Sequence, residues 1–257
     1  MKAYKMNIDK FCKKITFCSD GLRLSGTLHL PVAASVPPVV IGSHGLFSNS
    51  NSPKQIELAN KCNACKIAYF RFDHRGCGNS EGAFDQVTSF KGRCHDMINA
   101  IKTIMARDDT ASQISLFGSS FGGAVCVSMG DLFNIASIVT FAAPVLLSKS
   151  IIKAVDYAAK ATQFGVINTE KKINFDISSI LSKTSNILLF HGDADDVVPF
   201  SDAIKIYKKA EWPKKLIKQI RGDHMMGNKQ HQKEFSREAV IWFKKGFESN
   251  NRPAYTV

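Results

Sequence analysis

The stretch ISLFGSSFGGAVCV, Ile114 to Val127, begins as an apolar run, breaks at Gly118, and resumes as a small-residue helix around two serines. Gly118 and Gly122 flank Ser120 in the spacing G-x-S-x-G. The missing side chains let the backbone fold sharply enough to lift the central serine clear of the preceding strand. Taken alone, the same letters also describe a Gly/Ser-rich connector, because short motifs recur by chance. The rest of the chain decides between the two readings.

On both sides of this stretch, apolar runs alternate with helix-length segments. From Pro38 these are VVIGS, a helix from about Pro53, IAYFRF, a helix from about Phe90 to Ala106, QISLFG and a helix from Ser120. There follow ASIVTFAAPV, an irregular stretch, NILLFHG, a helix from Ser201, KLIKQI and a final helix around QKEFSREAVIWFKKGF. Continuous β-branched and aromatic runs mark strands covered on both faces, so the alternation predicts a parallel sheet with helices on each side. Ahead of it, residues 14–30 read as a hairpin, with apolar alternation on both sides of Asp20-Gly21, a dipeptide suited to a two-residue turn. The expected fold class is α/β, a mostly parallel central sheet flanked by helices with an N-terminal antiparallel hairpin, in one domain over residues 1–257. One interruption, at about 146–184, holds the amphipathic SIIKAVDYAAKA and then a tract that fits neither a strand nor one clear helix. An insertion over the C-terminal edge of an open sheet lies where ligands bind, and it is read as a small cap.

Composition narrows the class further. A chain of 257 residues, 44% hydrophobic, can bury roughly three quarters of its unfolded surface without a metal or disulfide to hold it. The start, MKAYKMNIDKFCKK, is basic but lacks an apolar signal core, and the longest apolar stretch, Ala136 to Leu147, is too short to span a bilayer. No stable membrane insertion is expected. Seven cysteines at irregular spacing fit a reducing, cytoplasmic compartment. Cys62 and Cys65 form a lone C-x-x-C inside an expected helix, without the second pair a structural zinc site needs; buried reduced thiols are expected, and no metal. The net charge of +12 is dispersed along helix faces, which argues against a nucleic-acid partner. The densest cluster, Lys208, Lys209, Lys214, Lys215, Lys218 and Arg221, reads as solvated surface.

A serine nucleophile needs a base, and the base needs an acid to fix its tautomer. The strand NILLF runs into His191-Gly192-Asp193-Ala194-Asp195-Asp196, and the last strand into Arg221-Gly222-Asp223-His224. Each projects a loop from a strand's C-terminal end, as Ser120 does, so the three loops open on one edge in the order serine, acid, histidine. Asp193, Asp195 and Asp196 are all candidates for the acid. Ser119 is off the centre of the glycine spacing. His44, His191, His74 and Arg75 read as architecture beside glycines, and Asp73 as a cap for backbone donors.

The motifs SHGLFSN, FDHRGCGNSEG, GSSFGG, HGDADDVVP and GDHMMGN, in this order, resemble those of the α/β-hydrolase superfamily over nearly the whole chain. The nearest resemblance is to bacterial serine hydrolases of the esterase and serine-aminopeptidase-like group. That resemblance implies Ser120 as nucleophile, Asp195 as acid and His224 as base, with an oxyanion hole from the backbone N–H groups of Leu46 and Phe121. It implies a cofactor-free enzyme that cleaves a small-molecule acyl ester through an acyl-enzyme. A peptidase or thioesterase would use the same triad. A non-catalytic binding module on the same fold would be expected to have lost a triad residue. A dehalogenase would carry aspartate at the elbow.

Overall fold

Asp20 and Gly21 have φ of 50° and 80°, the left-handed pair that a two-residue hairpin turn requires. They join β1 (Cys12–Ser19) to β2 (Leu22–His29) in antiparallel register, Ser19 opposite Leu22. The computed structural model describes residues 11–32, 34–161 and 173–250. After the hairpin come β3 (Val39–Ser43), α1 (Pro53–Ala64), β4 (Ala68–Phe72), the four-residue α2 (Phe84–Val87), α3 (Phe90–Met105), β5 (Ile114–Ser119) and α4 (Phe121–Met129). Then follow β6 (Ile135–Phe141), α5 (Lys149–Ala161), β7 (Ile187–Gly192), α6 (Phe200–Lys209), β8 (Lys214–Gln219) and α7 (Lys229–Asn250).

The eight strands lie in the order β1-β2-β4-β3-β5-β6-β7-β8. The β1/β2 and β2/β4 pairs are antiparallel and the remaining pairs parallel. The strands from β3 to β7 read as unbroken apolar runs because both faces are buried. Along each strand neighbours point to opposite sides. Ile41, Leu116, Ile138 and Leu189 pack with Met97 and Ile101 of α3 and Val125 of α4. Val40, Phe117, Val139 and Leu188 pack with Leu58 of α1 and Phe235, Ala239 and Phe243 of α7. Chain direction across the sheet reverses beside β3, which is flanked by β4 and β5. The carboxyl ends of β3 and β5 form the crevice in which an open α/β sheet receives ligands.

Within the tract expected to form a cap, α5 runs as predicted, and residues 162–172 lie outside the described residues. The far side is tied down more regularly than the sequence pattern indicates. Leu146 bridges Asp176, Leu147 N–H donates to Phe175 O, and Ile177 N–H donates to Val145 O. Ile151, Val155, Ile173 and Phe175 join the core.

The expectation of buried thiols needs correction. Cys62 in α1 is buried, whereas Cys65, just past the helix end, and Cys18 on β1 are exposed. Cys18 lies on the face of β1 whose residues alternate into solvent, and Cys65 follows the last residue of α1. All seven cysteines lie among the described residues, and none is in a disulfide. No helix of the described residues is long and apolar enough to cross a membrane.

Candidate active site

Ser120 occupies a backbone conformation that L-residues avoid, with φ 53° and ψ −124°. Such strain costs on the order of 1–3 kcal/mol and persists only where the surroundings over-determine it. Here they do. Ser120 N–H donates to Phe141 O at 2.7 Å, and its carbonyl accepts from Gly123 N–H at 2.7 Å. A Cβ on Gly118 would overlap the Gly122 carbonyl, and one on Gly122 would overlap the carbonyls of Ser43 and His44. The two glycines therefore bring β5, α4 and the end of β3 closer together than any side chain permits.

His224 Nε2 lies 3.1 Å from Ser120 Oγ, and His224 Nδ1 lies 2.8 Å from Asp195 Oδ2. The three loops thus converge in one hydrogen-bonded chain. Asp195 Oδ1 also accepts the backbone N–H groups of Val197 and Val198 at 2.9 and 2.8 Å, and His191 Nε2 approaches Oδ2 at 3.4 Å. Burial alone would raise the Asp195 carboxyl. The hydrogen bonds from His191 and His224 and the loop amides outweigh it and hold the group well below the ordinary carboxylate range.

The neighbouring carboxylates have other work. Asp193 Oδ1 accepts Arg221 N–H at 2.5 Å, clasping the loop after β7 to the loop after β8. Asp223 Oδ1 accepts Gly227 N–H at 2.9 Å, and Lys54 Nζ donates to Met225 O at 3.0 Å, so the turn carrying His224 is fixed from two sides. Asp73 accepts from Ser50 and Asn79 N–H groups, as its expected capping role requires. Asp196 is exposed.

Leu46 and Phe121 are both buried. Neither N–H donates to a protein acceptor among the described residues. Their loops meet at the Ser120 turn, since a Cβ built on Gly45 would stand 3.7 Å from Ser120 Cβ. A cleft of about 440 Å³ opens between α5 and the loop of Asp195, lined by Ser150, Lys153, Ala154, Tyr157, Asp196 and Val197.

A second Ser-His-Asp array lies beneath, and the sequence pattern does not reveal it as one. Ser43 Oγ is 2.8 Å from His74 Nε2, and His74 Nδ1 is 3.3 Å from Asp96 Oδ2. Arg75 grips both Asp96 oxygens, through its side chain and its backbone N–H. Ser43, His74 and Asp96 are wholly buried, so no substrate reaches them and the array is architecture. Burial pushes the His74 imidazole down to about 4, so it is neutral and donates from Nδ1. Burial would raise Asp96, but its hydrogen bonds from His74 and Arg75 hold it well below the usual range. A depressed folded-state pKa stabilises the fold above the unfolded value near 4, and that contribution is lost as pH falls through the folded value. Asp96→Asn is therefore expected to cost about 3 kcal/mol at pH 7, because it leaves Arg75 partly unpaired. Urea unfolding at pH 7, repeated down to pH 3, checks this: the gap from the native protein should narrow below about pH 4. Coincident curves at pH 7 would refute it.

A strained serine turn after the strand beside the sheet's reversal point, with an acid and a histidine on the loops of the last two strands, is the layout of an α/β-hydrolase. Residues 34–164 match the family described as serine aminopeptidase, S33, and the chain belongs to that family. The match includes Ser120 and ends before Asp195 and His224. The chain is 28% identical over 239 residues to the uncharacterized protein YfhR of Escherichia coli O157:H7, covering 87% of this chain and 77% of that protein. Among solved structures, the Pyrococcus furiosus esterase Pf2001 superposes with a TM-score of 0.77 at 16% identity, covering 96% of each chain. Est1E of Butyrivibrio proteoclasticus, solved with ferulic acid bound, gives 0.71 at 18% identity, covering 92% of this chain and 98% of that one.

Proposed function

We propose that the protein is a serine hydrolase of small acyl esters, acting in the cytoplasm through an acyl-enzyme, with Ser120, His224 and Asp195 as its triad. The observation that carries this reading is the hydrogen-bonded chain from Ser120 Oγ through both nitrogens of His224 to Asp195. His224 Nε2 takes the Ser120 proton as Oγ attacks the ester carbonyl carbon. The carbonyl electron pair moves onto oxygen, where the N–H groups of Leu46 and Phe121 receive it. Collapse of this intermediate expels the alcohol, which takes the proton back from His224. Water then repeats the sequence on the acyl-enzyme and releases the acid. Each aimed backbone donor contributes about 3 kcal/mol to transition-state stabilisation, and no step calls for a metal.

The cleft beside α5 supports a small acyl or alcohol group, with the segment from about 146 to 184 acting as its cap. An aminopeptidase must hold a substrate ammonium, and a buried cation without a carboxylate partner is strongly disfavoured. The cap segment carries twice as many lysines as carboxylates. Among the described residues Asp196 is the one carboxylate lining the cleft, and it shares that lining with Lys153. Glu81, on another loop, is held by Arg23 at 2.8 Å. The test compares kcat/KM for p-nitrophenyl acetate and butyrate with that for aminoacyl p-nitroanilides. Esters are expected to be cleaved far faster. Faster anilide cleavage, abolished by Asp196→Asn, would make the protein a peptidase.

A further inference from the structure

Arg93 stands on the core-facing side of the first turn of α3 and is wholly buried. A buried guanidinium keeps its charge, and the usual partner would be a carboxylate. Asp96, whose field reaches it, is bound instead by Arg75 and His74. Arg93 turns its two terminal nitrogens to the loop after β3, while its Nε has no hydrogen-bond partner among the described residues. Nη1 donates to Gly45 O at 3.1 Å, Nη2 donates to Leu46 O at 2.7 Å, and His44 O lies 3.4 Å from Nη1. Its other contacts are Cys77 Sγ at 3.4 Å from Nη2 and the Phe121 ring, whose centroid is 5.4 Å from Cζ.

The Gly45 carbonyl and the Leu46 N–H belong to one planar peptide. A donor at the oxygen therefore fixes the direction of the N–H at the other edge. A positive donor also draws electron density through the amide and makes that N–H a stronger hydrogen-bond donor. Two uncharged donors reach the same oxygen: Ser48 N–H at 3.3 Å, and His44 Nδ1 at 2.8 Å while His44 Nε2 accepts His74 N–H at 3.1 Å. Burial keeps His44 neutral, which leaves Arg93 as the charge on this peptide.

We infer that Arg93 is a positioning residue for the oxyanion site, clamping and polarising the Gly45–Leu46 peptide, with its guanidinium against Phe121 holding the two donor segments in register. The inference rests on the reading of Ser120 as the nucleophile of an acyl transfer. Arg93 acts through the peptide and does not touch substrate.

The test compares native enzyme, Arg93→Lys and Arg93→Met on p-nitrophenyl butyrate and on the matching thionoester, in which C=S replaces C=O. Sulfur is a larger and weaker acceptor, so the thionoester gains little from the oxyanion site, and a general loss of fold would lower both rates alike. Arg93→Met is expected to lose roughly tenfold to a hundredfold in kcat on the oxygen ester, with KM little changed, and to lose much less on the thionoester. The oxygen-to-thiono ratio should therefore fall. Arg93→Lys should lie between, because one ammonium cannot span both carbonyls, and it decides the matter if the methionine variant does not fold. A native ratio in the variants, whatever their absolute rates, overturns the clamp alone. A native enzyme that cleaves neither ester, and whose Ser120 takes no fluorophosphonate, overturns the acyl-transfer reading, and the clamp's role falls with it.

Discussion

Ser120→Ala is expected to lower kcat on an activated acyl ester by on the order of 10⁶, and to abolish fluorophosphonate labelling. In the proposed mechanism, removing Oγ removes the atom that forms the acyl bond. The remaining N–H donors can only assist direct attack by water. Ser119→Ala should keep most of the activity and the label, although Ser119 is the adjacent residue and is also partly exposed. Geometry separates the two: the hydrogen bond to His224 comes from Ser120, and the strained φ of 53° belongs to Ser120 as well. Alanine at this φ retains the strain, so the melting temperature should change little and a lost rate cannot be ascribed to unfolding. Label mapped to Ser119, or native activity in the Ser120 variant, would refute the assignment.

The elbow was legible in sequence because its chemistry is local: two glycines four apart fix where a backbone can approach β3 and where the serine must stand. The sheet was legible for a different reason. Val40 and Ile41 face opposite cores, so strands such as β3 lack alternation and announce double burial. β1 does alternate, with Ile15, Phe17 and Ser19 buried between exposed neighbours, and a half-covered strand of a hairpin must read that way. Helix α2 has four residues, too few for any periodicity to register. The Leu146–Asp176 bridge joins residues far apart in the chain, and pairing of that kind leaves no local trace.

Arg93 was missed although a signal exists. Arg93, Met97, Ala100, Ile101 and Ile104 are all buried on one face of α3, so a charged residue occupies an apolar stripe. Such a residue must find partners inside the fold. The pattern states that demand but not the partner, because the carbonyls that answer it lie far back along the chain, in the loop after β3. Among Asp193, Asp195 and Asp196, residue type alone leaves the acid open; the family resemblance, which puts it three residues after Gly192, points to Asp195, and the contact of Asp195 with His224 joins separate loops and so leaves no local trace.

Asp195→Asn is expected to lower kcat by on the order of 10⁴ while leaving the loop in place. The amide oxygen of the new side chain can still accept the N–H groups of Val197 and Val198, which now meet Asp195 Oδ1. What changes is the atom facing His224. An amide NH₂ pointed at Nδ1 favours the tautomer with its proton on Nε2, and that nitrogen then cannot accept the Ser120 proton. The negative charge that stabilises the imidazolium is lost at the same time. Asp193→Asn should be mild by comparison, because an amide oxygen can still accept Arg221 N–H. Asp196→Asn, at an exposed position, should be milder still on esters. Steady-state kinetics of the three variants, with melting temperatures alongside, makes the comparison. A large loss in Asp193→Asn or Asp196→Asn with near-native Asp195→Asn would mean that the carboxylate hydrogen-bonded to His224 is not the one that orients it during turnover.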